Sequence, residues 1–265
     1  MTMTLESSPL SVVDALRGDR SRRPLIDIAS AGGLRSLLED GIFAIIGAQR
    51  LDSPIVVRAS SLQQHFATTD LSMSSTARIR GVLIGQILRL LSVGMTIDDA
   101  FGDAVAAWRS EVGANDLTAH FDALDQDDRA RLATDVEAHC VTLTRALGEI
   151  PAHWMPRSNV RASQRLAGGN VVLRDVVDLM IGTSTSEVAS IALFDVTTSP
   201  LGEGAERSMR YHALVQTLRS SVMPLRTCTF SSATGETWIR DVDYELLARS
   251  VQDVLASVSD QWSVR

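Results

Sequence analysis

The chain has 265 residues, 45% of them hydrophobic, near the upper size for one compact domain and with ample material for a core. Its formal net charge is −7, and all 25 basic side chains are arginine, so any nucleic-acid contact must be local and no chemistry can draw on a lysine amine. The two cysteines, Cys140 and Cys228, lie in no partner motif, which argues against a disulfide framework, a zinc site or an iron–sulfur cluster. No stretch reaches the roughly 20 apolar residues that span a bilayer and no signal-like run stands near the N-terminus, so a cytoplasmic protein without a membrane partner is expected.

Residues 1 to 29 hold an arginine cluster, Arg17, Arg20, Arg22 and Arg23, before Pro24, which reads as a solvated extension, with phosphate contact as the alternative. Residues 31 to 47 place Leu34, Leu37, Leu38, Ile42 and Ile45 at helical spacing. After Pro54 the run IVVRASSLQQHF reads as a short extended piece, with Ser60 or Ser61 capping the turn that follows. Residues 76 to 93 are apolar around more than one stripe, the pattern of a largely buried helix. Two more amphipathic helices are expected, from Thr96 to about Val112 and from about Asp127 to Leu147.

Pro151 and Pro156 end the helical texture, and strand-like runs follow at 159 to 165, 171 to 181 and 188 to 197. The turn TSTSE joins the last two as a hairpin. With Thr185-Ser186 as its loop, Asp195 pairs with Val176 and shares a face with Asp178 as a diagonal neighbour about 7 Å away, so one cation would bridge both acids. A one-residue slip would separate them onto opposite faces. A helix at 205 to 220, strands at 226 to 231 and 237 to 239, and a closing helix from Val242 to about Val258 complete the chain. The expected class is α+β: an N-terminal, mainly helical region (1–150) packed on a core (151–265) with a mixed sheet flanked by helices.

Asp178 and Asp195, one acid on each of two adjacent apolar strands, make the chemical suggestion. Mg²⁺ or Mn²⁺ held by two carboxylates can generate hydroxide and stabilise the departing oxygen of a phosphodiester. The segments RASSLQQHFATTD, RGVLIG, DVVDLMIG, LFDVTTS and RYHALVQTLRSSVMPLRTCTF carry a resemblance over most of the chain. They are similar to the motifs of the RecB-type branch of the PD-(D/E)XK nucleases, in particular an actinobacterial group of uncharacterised RecB-like proteins.

The resemblance implies a restriction-endonuclease-like core and a Mg²⁺ or Mn²⁺ site at Asp178 and Asp195. It also implies DNA and a helicase or nuclease protein as partners. The departures fall at chemical positions: Thr197 stands where the catalytic lysine belongs, Gly85 where the metal-associated histidine belongs, and no cysteine stands near Thr68 or Thr69. The implied function is therefore a degenerate nuclease fold serving as a DNA-binding or structural subunit in DNA processing, repair or defence. A weakly active metal-dependent nuclease using the two acids, and a protein-interaction scaffold without nucleic acid, are the alternatives.

Tyr211 and Gln216 match the family's site-lining helix, and Arg207, Arg210 and Arg219 on it are candidates for a DNA backbone. Each residue also has a structural reading. The acids can cap strand ends or pair with an arginine such as Arg174, Tyr211 and Gln216 can be core-edge residues, and Gly85 can allow close helix packing.

Overall fold

The computed structural model describes residues 11–18, 28–64, 74–183 and 190–265. Nine helices stand among them: α1 (Val12–Arg17), α2 (Ile28–Ile46), α3 (Ala59–Gln64), α4 (Ser75–Ser92), α5 (Ala100–Glu111), α6 (Asp116–Asp122), α7 (Gln126–Leu147), α8 (Glu203–Ser220) and α9 (Tyr244–Ser263). The strands are β1 (Ile55–Val57), β2 (Arg157–Leu166), β3 (Val171–Ile181), β4 (Ala192–Thr197), β5 (Arg226–Ser231) and β6 (Thr237–Asp241). They form one six-stranded mixed sheet with helices on both faces, an α+β architecture.

Polar side chains set the helix starts. Ser74, Asp99, Asp125 and Asp243 each accept a backbone N–H of the first turn of α4, α5, α7 and α9. Helix α6, which has no expected counterpart, begins with a capping box between Asn115 and Thr118. The expected helix from Thr96 starts only at Ala100, because Asp99 takes the cap. Ser60 and Ser61, expected as turn caps, lie inside the short helix α3. The 183–187 turn, Arg20, Arg22, Arg23, Thr68 and Thr69 fall mostly or wholly outside the described residues, while Arg17 stacks over the Trp154 ring at 3.8 Å.

Two apolar cores cover the sheet. On one face α2, α8 and α9 pack Leu34, Leu38, Leu214 and Val254 against Val171, Leu173 and Leu193. On the other, α1 and α4 to α7 pack Leu16, Ile84, Trp108 and Leu143 against Leu179, Phe194 and Phe230. Residues before 151 thus enter both layers and supply β1, so the helical half is woven into the sheet rather than laid on a finished core. Among the described residues no helix is long and apolar enough to cross a membrane.

Strand β3 is the axis of the arrangement. One edge is taken along nearly its whole length by antiparallel β2, from Arg157 opposite Met180 to Leu166 opposite Val171. The other edge is shared: parallel β1 pairs with residues 171–173, and antiparallel β4 with residues 179–181. Between those partners, residues 174–178 face a fork in the sheet.

A second irregularity lies at the same level. Side chains of a regular strand alternate faces, yet Val177 and Met180 enter one core and Leu179 the other. The reversal coincides with Asn159, whose φ is +51°, and with a gap in the β2–β3 pairing where Asn159 would face Asp178. Asp175 and Asp178, three residues apart, are thereby brought to the same face.

Candidate functional site

The β3–β4 register sets Leu179 opposite Phe194 and Met180 opposite Leu193. One step further along that register, Asp178 stands opposite Asp195. The expected pairing of Asp195 with Val176 is therefore corrected by two residues, and the acids share a face because they stand directly opposite each other. The strands part at this point. In place of the next ladder bond, the backbone N–H of Val196 donates to Asp178 Oδ2 at 2.8 Å.

Helix α8 closes the fork from one side with two adjacent side chains. Tyr211 is fully buried, and its hydroxyl lies 2.8 Å from the Val57 carbonyl at the end of β1 and 3.0 Å from the Arg174 carbonyl in the unpaired stretch of β3. His212 is buried beside it, with Nδ1 2.7 Å from Asp175 Oδ1 and Nε2 3.7 Å from Asp195 Oδ2. The second distance suits an ion pair and exceeds a hydrogen bond, so Nε2 has no hydrogen-bond partner. The result is a chain of four side chains, Asp175, His212, Asp195 and Asp178, crossing the fork.

Their charges follow from this contact order. Burial disfavours a charged His212 ring, but Asp175 and Asp195 on its two sides outweigh it and hold its pKa well above the ordinary value. Burial also opposes ionisation of Asp195, and the His212 charge overcomes it, leaving that carboxyl below its usual range. Burial and the adjacent Asp195 charge push Asp178 well above its usual range, and hydrogen bonding between the two carboxyls acts in the same direction. The contacts thus favour a protonated His212 ring between Asp175 and Asp195, with Asp178 holding its proton more tightly than Asp195 does.

As arranged, these groups do not fit a divalent cation. The acids stand against each other, Val196 N–H takes an oxygen of Asp178, and the approach to Asp195 from α8 is filled by the His212 ring, held at 2.7 Å by Asp175. Among the described residues no set of three His, Cys, Asp or Glu side chains is disposed to hold a metal ion. Thr197, half-buried at the end of β4, has its hydroxyl accepting from Ser199 N at 3.1 Å and its carbonyl accepting from Ser232. A Cβ built on Gly85 meets nothing within 4 Å, so this glycine is not explained by close helix packing.

The other site candidates on α8 are placed as follows. Arg210 donates to Asp253 of α9 at 2.9 Å, and Arg207 pairs with Glu203 and, at 4.0 Å, with the same Asp253. Gln216 is buried, and Arg219 is exposed with its guanidinium 3.4 Å from the Arg161 carbonyl. Cys140 and Cys228 are free and buried.

Two members of the cluster, His212 and Asp175, are absent from the candidate set drawn from sequence. Spacing along the chain does not reveal His212 as a partner of acids on β3 and β4. Its place beside Tyr211 on the buried face of α8 is the signal that could have found it.

No family model matches this sequence, and no curated protein matches it. Among solved structures it is similar to the one described as "Crystal structure of SSO0001", at 7% identity and a TM-score of 0.31, over 83% of this chain and 84% of that one. A likeness that distant bears on neither fold nor function.

Proposed function

We propose that this chain is a degenerate RecB-like PD-(D/E)XK nuclease fold, kept as a DNA-binding or structural subunit of a cytoplasmic DNA-processing, repair or defence assembly. One observation carries the reading: the two acids of the resembled signature stand opposite each other at a fork in the sheet, but their free valences go to Val196 N–H, to each other and to His212. A catalytic pair needs carboxylate oxygens open to a cation and a nearby donor to stabilise developing charge. Thr197 and Gly85 supply neither the amine nor the imidazole expected of relatives, and the chain has no lysine. A fold that keeps its acids and satisfies them internally is suited to holding a shape.

A nuclease assay of the purified protein with Mg²⁺ and then Mn²⁺, run beside Asp195→Ala, tests this. No metal-dependent degradation is expected from either protein. Degradation by the natural protein that stops in Asp195→Ala would establish instead the weakly active nuclease, for which the part-exposed carboxylate of Asp195, at 21%, is the favouring feature. Gel shifts at rising salt separate the DNA-binding form of the proposal from an interaction scaffold, because phosphate contacts weaken steeply with salt.

A further inference from the structure

We infer that the cleft formed by Arg58, Arg161 and Arg174 binds the phosphodiester backbone of a nucleic-acid strand. This rests on the DNA-binding reading above and names the surface that would serve it. The cleft has a volume of about 610 Å³ and lies where β1 ends and α3 begins, beside β2 and β3. Ser163 pairs with Arg174 and Arg161 with Val176, so the side chains of Arg161, Ser163 and Arg174 share one face of the two strands. Arg58 and Ser60 enter from the β1–α3 junction, and all five polar side chains are exposed.

The distribution of charge sets this place apart. Several other arginines are matched with acids: Arg80 with Asp135, Arg89 with Glu111, Arg210 with Asp253, Arg226 with Asp241, Arg249 with Glu245. The guanidinium groups of Arg58, Arg161 and Arg174 meet no acid and no hydrogen-bond acceptor among the described residues, although the chain as a whole carries −7. Asp175 also lines the cleft, but its carboxylate is turned to His212 at 2.7 Å. Three like charges held together without a counter-ion cost free energy unless an anion completes the site.

The chemistry narrows the anion. Guanidinium groups match phosphate oxygens in bidentate geometry, and serine hydroxyls donate to the same atoms. The described lining residues include no aromatic ring on which a base would stack, so contact would be to the backbone and tolerant of sequence. The cleft is open and stands beside the sheet fork, as a path for a strand requires.

The test is fluorescence anisotropy of labelled single-stranded and duplex oligonucleotides across a salt series. It compares the natural protein with the Arg58→Gln, Arg161→Gln, Arg174→Gln triple variant. A second triple, Arg109→Gln, Arg131→Gln, Arg249→Gln, removes the same charge from arginines on other helices that are paired with acids. Thermal melts of both triples confirm that they fold. The cleft triple is expected to bind about tenfold or more weakly, with its salt slope reduced by about 2 to 3, while the control stays near the natural protein.

Equal weakening in both triples, or none in the cleft triple, overturns this inference and leaves the DNA-binding reading standing. No oligonucleotide binding by the natural protein even at low salt overturns both. Binding of inorganic tripolyphosphate through the three arginines without oligonucleotide binding overturns the assignment of a polymer.

Discussion

The Nδ1 atom of His212 stands 2.7 Å from Oδ1 of Asp175, and both side chains are almost completely buried. This contact ties α8 to the unpaired stretch of β3 and orients the ring so that Nε2 faces Asp195. Asp175 is thus the anchor of the four-residue cluster, although it is not an acid of the nuclease signature.

Asp175→Asn keeps the shape of the side chain and removes its charge. Breaking one partner of a buried ion pair leaves the other charge uncompensated, a cost of about 3 to 5 kcal/mol. Chemical denaturation is expected to show a loss of that order with the same cooperativity. A change under about 0.5 kcal/mol would mean that the pair has no structural role.

Stability should depend on pH in a direction set by His212 and Asp178. The His212 pKa is raised in the folded state, so its contribution is fully present below the ordinary value of 6.5 and is lost as pH rises towards the folded-state value. Asp178 is also raised, so the folded state binds more protons than the unfolded one above the ordinary 3.8, and stability falls with rising pH there too. Asp195 is lowered and acts oppositely, its contribution being lost only as pH falls below 3.8. Denaturation midpoints should therefore decline on the alkaline side of about 6.5, and His212→Gln should flatten that part of the profile.

The internal cation also sets what is needed to rebuild a metal site. Thr197→Lys with Gly85→His restores both residues of the resembled signature, but only the lysine joins the acids, because Gly85 stands on α4, which packs on the sheet face opposite α8, and its Cβ would meet nothing within 4 Å. The charged His212 ring still borders Asp195, so this double variant is expected to remain inactive with Mn²⁺. Adding His212→Gln, which removes the ring charge while keeping a polar group, should allow Mn²⁺ binding by calorimetry and degradation of oligonucleotides. Activity already present in the double variant would show that His212 does not oppose a metal.

Legibility in the sequence differed by element for physical reasons. Strands β3 and β5 match their expected ranges, Val171–Ile181 and Arg226–Ser231, the first because it is a largely apolar run and the second because its threonines and phenylalanine favour a strand. Helix α6 escaped because its signal is a cap at Asn115 and Thr118, with no long apolar stripe. Asp178 and Asp195 were readable as a pair because each is an acid set among the apolar residues of adjacent strands, although their register is shifted by two residues. Asp175 was not: three residues from Asp178, it belongs on the other face of a regular strand, and only the reversal at Asn159 brings it round. His212 then required knowing which way α8 lies on the sheet.

Tyr211 gives a test of the fork itself. Its hydroxyl lies within hydrogen-bond reach of the Val57 and Arg174 carbonyls, taking the place of ladder donors where β1 ends and β4 has not yet begun. One hydroxyl hydrogen serves two acceptors in turn, so Tyr211→Phe leaves both carbonyls without this donor while the ring keeps its packing. An unsatisfied buried polar group costs about 1 to 3 kcal/mol, and a loss in that range is expected by denaturation. Hydrogen exchange should quicken in β1 and the middle of β3 and stay unchanged in β5, which pairs with β4 and β6 away from the fork. Uniform quickening across the sheet would mean that the hydroxyl supports global stability and not the fork, and Phe would then report on the core as a whole.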